Sequence, residues 1–121
     1  MNTALNTKKQ AASNTATEYT LSDLYHAWQN LAENEIIIDI RSPADYAEAH
    51  IPGSRNIPYE SVIGQHLGLR KYSRVYFYCY GGKGSKDVSS RLAEMGITDI
   101  CFLNNAGMSD WQTAGYPVSQ E

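Results

Sequence analysis

The chain has 121 residues, 42% of them apolar, with 13 acidic against 10 basic side chains and a formal charge of -3 at pH 7. That length suits one domain, and the interspersed charges leave no basic face or Lys/Arg run to make nucleic acid a partner. No stretch has the apolar length of a membrane span and the first residues have no signal-peptide core, so the expected location is the cytoplasm, with no membrane partner.

Residues 1–18 are mostly Asn, Thr, Ala, Lys and Ser, with little to bury, and read as a disordered tail ahead of a domain over 19–121. The first helix is expected over 20–34, where Leu21, Leu24, Tyr25, Trp28, Leu31 and Ala32 share one face. Thr20 and Asp23 resemble a capping box at its start. Ile36, Ile37, Ile38 and Ile40 make a short β-branched run without alternation, as in a strand covered on both sides. Ser42 followed by Pro43 marks a helix start, and that helix is expected over 43–49. Pro52-Gly53 is a turn, Arg55, Asn56 and Ile57 a short strand, and residues 61–67 a weak helix.

Residues 74–79 form the next strand, and Cys79 at its end opens a loop of Tyr80, Gly81, Gly82, Lys83, Gly84 and Ser85 before a helix over 86–95. Gly96 stands where a helix C′ residue belongs. A third strand over 100–103 and a short helix over 107–113 follow. This alternation implies an α/β fold, a parallel sheet with helices on both faces, where ligands bind at the carboxyl ends of strands.

The segment around Cys79 carries the chemistry. A helix start offers unpaired N–H groups and the positive end of a dipole, both attractive to an anionic sulfur. Glycines let the loop turn its amides inward as an anion-binding nest. Taken alone, Cys79 would read as a buried, inert strand cysteine; with this loop and the flanking signatures given below it reads as a nucleophile. Ser85 is expected to cap the following helix, with its hydroxyl in reach of the sulfur. Cys101 reads as a core residue, the sharper alternative being a resolving thiol. A disulfide between the two has no support in a reducing compartment. His26, His50 and His66 read as surface or capping residues, and no zinc-type spacing occurs, so neither metal nor cofactor is expected.

Three segments in order resemble the rhodanese-like, or sulfurtransferase, domain over about residues 20–118. The first is Ile38-Asp39-Ile40-Arg41, then Asp45-Tyr46, His50-Ile51-Pro52-Gly53-Ser54 and Asn56-Ile57-Pro58. The second is Tyr78-Cys79 with a loop closing at Ser85 and a helix ending at Gly96. The third is Leu103, Gly107, Trp111 and Ala114-Gly115-Tyr116-Pro117-Val118. Ala49 replaces the Gly usual before His50, and Gly84 stands where the family often has Arg.

The resemblance implies a three-layer fold and a double-displacement sulfur transfer through a Cys79 persulfide. Sulfur would come from a donor such as thiosulfate and go to a thiol or cyanide, or to thioredoxin or another sulfur-carrier protein. Main-chain amides of residues 80–85 would cradle the sulfur. Lys83 would be either a solvated loop lysine or the cation that steers the donor. Asp39 and Arg41 would be structural supports that buttress the loop, with Asp45 and Glu48 as candidate partners for Arg41. Two readings compete: a rhodanese-like binding module without catalysis, and phosphatase or arsenate-reductase chemistry. The latter uses a C-x-x-x-x-x-R motif, whose Arg position is Ser85 here.

Overall fold

In the computed structural model, which describes residues 16–97 and 99–121, five strands pair in parallel. They are β1 (Thr17–Tyr19), β2 (Glu35–Asp39), β3 (Arg55–Asn56), β4 (Arg74–Tyr78) and β5 (Ile100–Leu103), in the order β1-β5-β4-β2-β3. Side chains of a strand alternate between faces, and here both faces are buried. Ile36, Ile38, Val75, Phe77, Ile100 and Phe102 point to one core; Ile37, Tyr76, Tyr78, Cys101 and Leu103 point to the other.

Helix α5 (Lys83–Glu94) covers the first face with Val88 and Leu92, helped by Val62 of α3 (Tyr59–Val62) and Leu69 of α4 (His66–Leu69). The second face is covered by α1 (Leu21–Gln29) through Leu24 and by α6 (Met108–Thr113) through Met108 and Trp111. Helix α2 (Pro43–Glu48) follows β2 and buries no side chain fully. Among the described residues no helix is long and apolar enough to cross a membrane. The α/β architecture expected from the sequence is therefore the one observed.

The helix ends follow local chemistry. Thr20 Oγ1 accepts from Asp23 N and Asp23 Oδ2 accepts from Thr20 N, each at 3.1 Å, which is the reciprocal capping box. Ser42 Oγ accepts from Asp45 N with Pro43 in the first helical turn. Gly96, at φ +91°, ends α5 with two bonds, Gly96 N to Ala93 O and Ile97 N to Leu92 O. This pairing satisfies carbonyls that a helix end leaves free.

Four expectations are corrected. Helix α1 stops at Gln29, short of Asn34; Asn30 takes the cap position, and Leu31 packs on the core from the following loop. The weak helix over 61–67 breaks into α3, a 3-10 turn (Ile63–Gln65) and α4, consistent with the two glycines, Gly64 and Gly68, in this stretch. Thr17 and Glu18, placed in the tail, lie in β1 opposite Cys101 and Phe102, and the Tyr19 ring meets Tyr76 edge-on at 5.5 Å. The rest of that tail, residues 1–15, lies outside the described residues. His50 is buried, its ring stacked on Tyr46 at 3.7 Å and its Nδ1 2.7 Å from Tyr46 O.

Candidate active site

Alternation along β4 sends Val75, Phe77 and then Cys79 toward α5. Helix α5 starts at Lys83, three residues before the expected start, because Gly82 takes the cap position at φ +109°. A side chain at Gly82 would be strained by that φ, and its Cβ would stand 2.9 Å from Asn105 N and 3.0 Å from Ala106 N. Gly82 is thus required both for the turn and for close packing on the 105–106 backbone.

No side chain of the cap residue closes this helix start. The sulfur of Cys79 does so instead: Sγ accepts from Gly82 N at 3.1 Å and from Ser85 N at 3.4 Å. It stands where a capping oxygen would, against the positive end of a 12-residue helix. Of the six amides in the loop, those of Gly82 and Ser85 are the two that bond the sulfur. Ser85 is inside the helix, not its cap. Its Oγ lies 3.6 Å from Sγ and within bonding distance of Gly82 O (3.0 Å) and Leu103 O (3.3 Å).

Behind the cysteine, Met108 N donates to Cys79 O at 2.9 Å. Gly107 makes that approach feasible, since a Cβ there would fall 2.1 Å from Tyr80 O and 2.4 Å from Cys79 O. This clamp escapes sequence reading of the loop alone; its signal is the Gly107 of the third signature.

Cys79 is 9% exposed and sits in the lining of a pocket of about 440 Å³. Ile40, Tyr59, Gly81 and Gly84 line it, as do Arg41, Ser42 and Asp45 from the β2–α2 turn. Tyr80 (68% exposed) and the exposed Lys83 stand at its edge. A larger depression of about 520 Å³ lies around Glu35 and Arg74, at the amino ends of β2 and β4, and no cysteine lines it.

Arg41 is committed elsewhere. Its guanidinium bonds both carboxylate oxygens of the fully buried Asp39, at 2.8 and 3.1 Å, and donates to Ala49 O. Arg41 N adds a bond to Asp39 Oδ1, and Asn56 Nδ2 ties Asp39 O to Arg41 O. Asp39, and neither Asp45 nor Glu48, is Arg41's ion-pair partner among the described residues. The pair buttresses the turn after β2, and its side-chain bonds do not reach the cysteine loop.

Cys101 faces the opposite core, beside Tyr19, and burial pushes its thiol above the ordinary range. It is in register with Tyr76, so Cys79 lies three residues further along and on the other face, roughly 10 Å away at a strand's rise. Both thiols are free, and a disulfide between them would need Cα atoms within about 7 Å. Among the described residues no group of three or more His, Cys, Asp or Glu is placed to hold a metal ion.

The family model for the rhodanese-like domain matches residues 23–114. The thiosulfate sulfurtransferase GlpE of Pseudomonas paraeruginosa is 31% identical over 82 residues, covering 68% of this chain and 73% of that protein. The thiosulfate:glutathione sulfurtransferase of Saccharomyces cerevisiae is 26% identical over 110 residues, covering 80% of this chain and 78% of that one. Among solved structures, a rhodanese-related protein from Thermoplasma volcanium has the same fold, with a TM-score of 0.74 at 24% identity over 87% of this chain and 99% of that one.

Proposed function

We propose, from the premise that this chain belongs to the rhodanese-like domain family, that it is a sulfurtransferase working through a persulfide on Cys79. The Cys79 thiolate attacks the outer sulfur of a donor such as thiosulfate. A new S–S bond forms, the donor's S–S bond breaks, and its electron pair leaves with sulfite. A thiol or cyanide then takes the outer sulfur and frees the thiolate, so that one transfer becomes two easier steps. Thioredoxin or another sulfur-carrier protein suits the acceptor role, in a cytoplasm that keeps thiols reduced.

The observation that carries this reading is the setting of the sulfur. Sγ accepts two main-chain N–H bonds at a helix start while remaining at a pocket surface. Fixed donors aimed at a sulfur favour negative charge there and need no reorganisation during transfer. Lys83, exposed beside that pocket, draws the anionic donor in by its charge. Asp39 and Arg41 hold the turn that forms the facing wall and take no part in bond making. Phosphoryl or arsenate chemistry would require an Arg fork at position 85, and the Ser85 found there is fully buried and turned to carbonyls.

Sulfur loading tests the proposal. Reduced protein incubated with thiosulfate should gain the mass of one sulfur atom, mapped to Cys79, and release one equivalent of sulfite. An unchanged mass with the thiol confirmed reduced, for thiosulfate and for persulfide donors alike, would leave a binding module.

A further inference from the structure

Gly84 leaves a notch beside the reactive sulfur. The point where its Cβ would stand is 3.6 Å from Ile40 Cδ1, 3.7 Å from Tyr59 Cδ2 and 3.7 Å from Cys79 Sγ. Each of these is an ordinary van der Waals distance, so the space accepts a carbon atom and surrounds it with an aliphatic methyl, a ring edge and the sulfur itself.

The aromatic wall is held at both ends. Tyr59 N donates to Ile40 O at 2.9 Å, and the Tyr59 hydroxyl donates to the Asp87 carboxylate on α5. The polar tip of the residue is thereby occupied on the neighbouring helix, and the ring edge is what borders the notch. Neither cation in the pocket lining is among the atoms nearest this notch: Arg41 is bound to Asp39 and Ala49 O, and Lys83, exposed in the same lining, keeps its charge in water. A charged sulfonate oxygen pressed between Ile40 and the Tyr59 ring would lose hydration without a partner; a hydrocarbon group there gains by leaving water.

We infer that the pocket is built for an organic sulfane-sulfur donor whose short hydrocarbon tail lies along the Ile40–Tyr59 wall at Gly84, in preference to an all-inorganic donor. The inference rests on the sulfurtransferase reading of Cys79. With an alkanethiosulfonate, R–SO2–S⁻, the thiolate attacks the terminal sulfur. The Cys79 S–S bond forms, the bond from that sulfur to the sulfonyl sulfur breaks, and the electron pair departs with the sulfinate R–SO2⁻. Two negative charges enter and two leave, and no oxidant or reductant is consumed.

The probes are inorganic thiosulfate and the methane-, ethane- and propanethiosulfonates, with sulfur loading measured as kcat/KM. The native protein should gain roughly fourfold per added methylene. Gly84→Ala, whose methyl fits without a clash and fills the notch, should flatten that gradient, as should Tyr59→Ser, which removes the wall. The second readout needs no sulfur transfer: the rate at which Cys79 is alkylated by iodoacetamide and by its N-ethyl and N-propyl derivatives should show the same tail dependence and the same loss in both variants. A flat series in the native protein, or an unaltered gradient in both variants, overturns the notch. Absence of sulfur loading from every donor overturns the sulfurtransferase reading, while the alkylation series still decides whether the notch takes a tail.

Discussion

The two cysteines of this chain are both buried, at 9% and 3% exposure, and both belong to the sheet core, yet their surroundings have opposite consequences. Cys101 lies within β5, flanked by Thr17 of β1 on one side and Tyr76 of β4 on the other. The main chain around it is committed to neighbouring strands. Cys79 lies one residue beyond β4, where pairing ends and a helix begins, and two amides of that start turn to its sulfur. Burial alone therefore does not separate the proposed nucleophile from the core thiol. The separating quantity is how many main-chain donors are left uncommitted nearby, and a strand end followed by a helix start is where the fold supplies them.

The comparison can be broken most decisively at the sulfurs themselves. Cys79→Ser should lower sulfur transfer by at least about a thousandfold in a sulfite-release assay, with the fold retained by circular dichroism. Cys101→Ser should leave the same rate within about threefold; a comparable loss there would dissolve the contrast. The next effect is at the donors. Gly82→Ala forces a Cβ against Asn105 and Ala106 and shifts the amide that bonds Sγ, and single-turnover persulfide formation should slow by about a hundredfold.

A pH series sharpens the inert side. Burial raises the Cys101 thiol, and it also raises the Tyr19 and Tyr78 phenols of the same core. The folded chain then holds protons that the unfolded chain releases. Stability from these groups is full below their ordinary ranges and falls as pH climbs above about 8.5, by up to about 1.4 kcal/mol per pH unit for each group. Urea midpoints at pH 8, 9 and 10 in a Cys79→Ser background should fall in that way. Cys101→Ala should remove the earliest part of the slope, and at pH 7 it should cost only about 1 kcal/mol, the smallest effect of the set.

What can be read from the sequence is set by distance along the chain. The Thr20–Asp23 box, the Ser42-Pro43 start and the Gly96 stop involve residues a few positions apart, and each forms as its local pattern implies. Strand β1 is illegible because three polar or half-buried residues become a strand only by pairing with β5, more than eighty residues away. The early start of α5 is hidden for a different reason. Its cap is a sulfur donated by the preceding strand, whereas sequence reading looks for a Ser hydroxyl and finds Ser85. The Asp39–Arg41 pair is masked because Arg41 lies past the end of β2, where strand alternation no longer sets its direction; the turn after β2 brings the two together. Cys79, Gly82 and Ser85 are legible as a group because strand, glycine turn and helix are consecutive.

The placement of the two thiols on opposite sides of the sheet has a consequence for recovery after each chemical event. Proteins that quench an oxidised or loaded cysteine internally carry a second thiol that can swing onto it. Here the only other thiol lies behind a layer of hydrogen-bonded strands. Whatever adduct Cys79 acquires, from a single extra sulfur to a sulfenic acid, must be discharged by a molecule arriving from solvent. The working state of the protein is then governed by the reductants and acceptors around it rather than by any relay of its own.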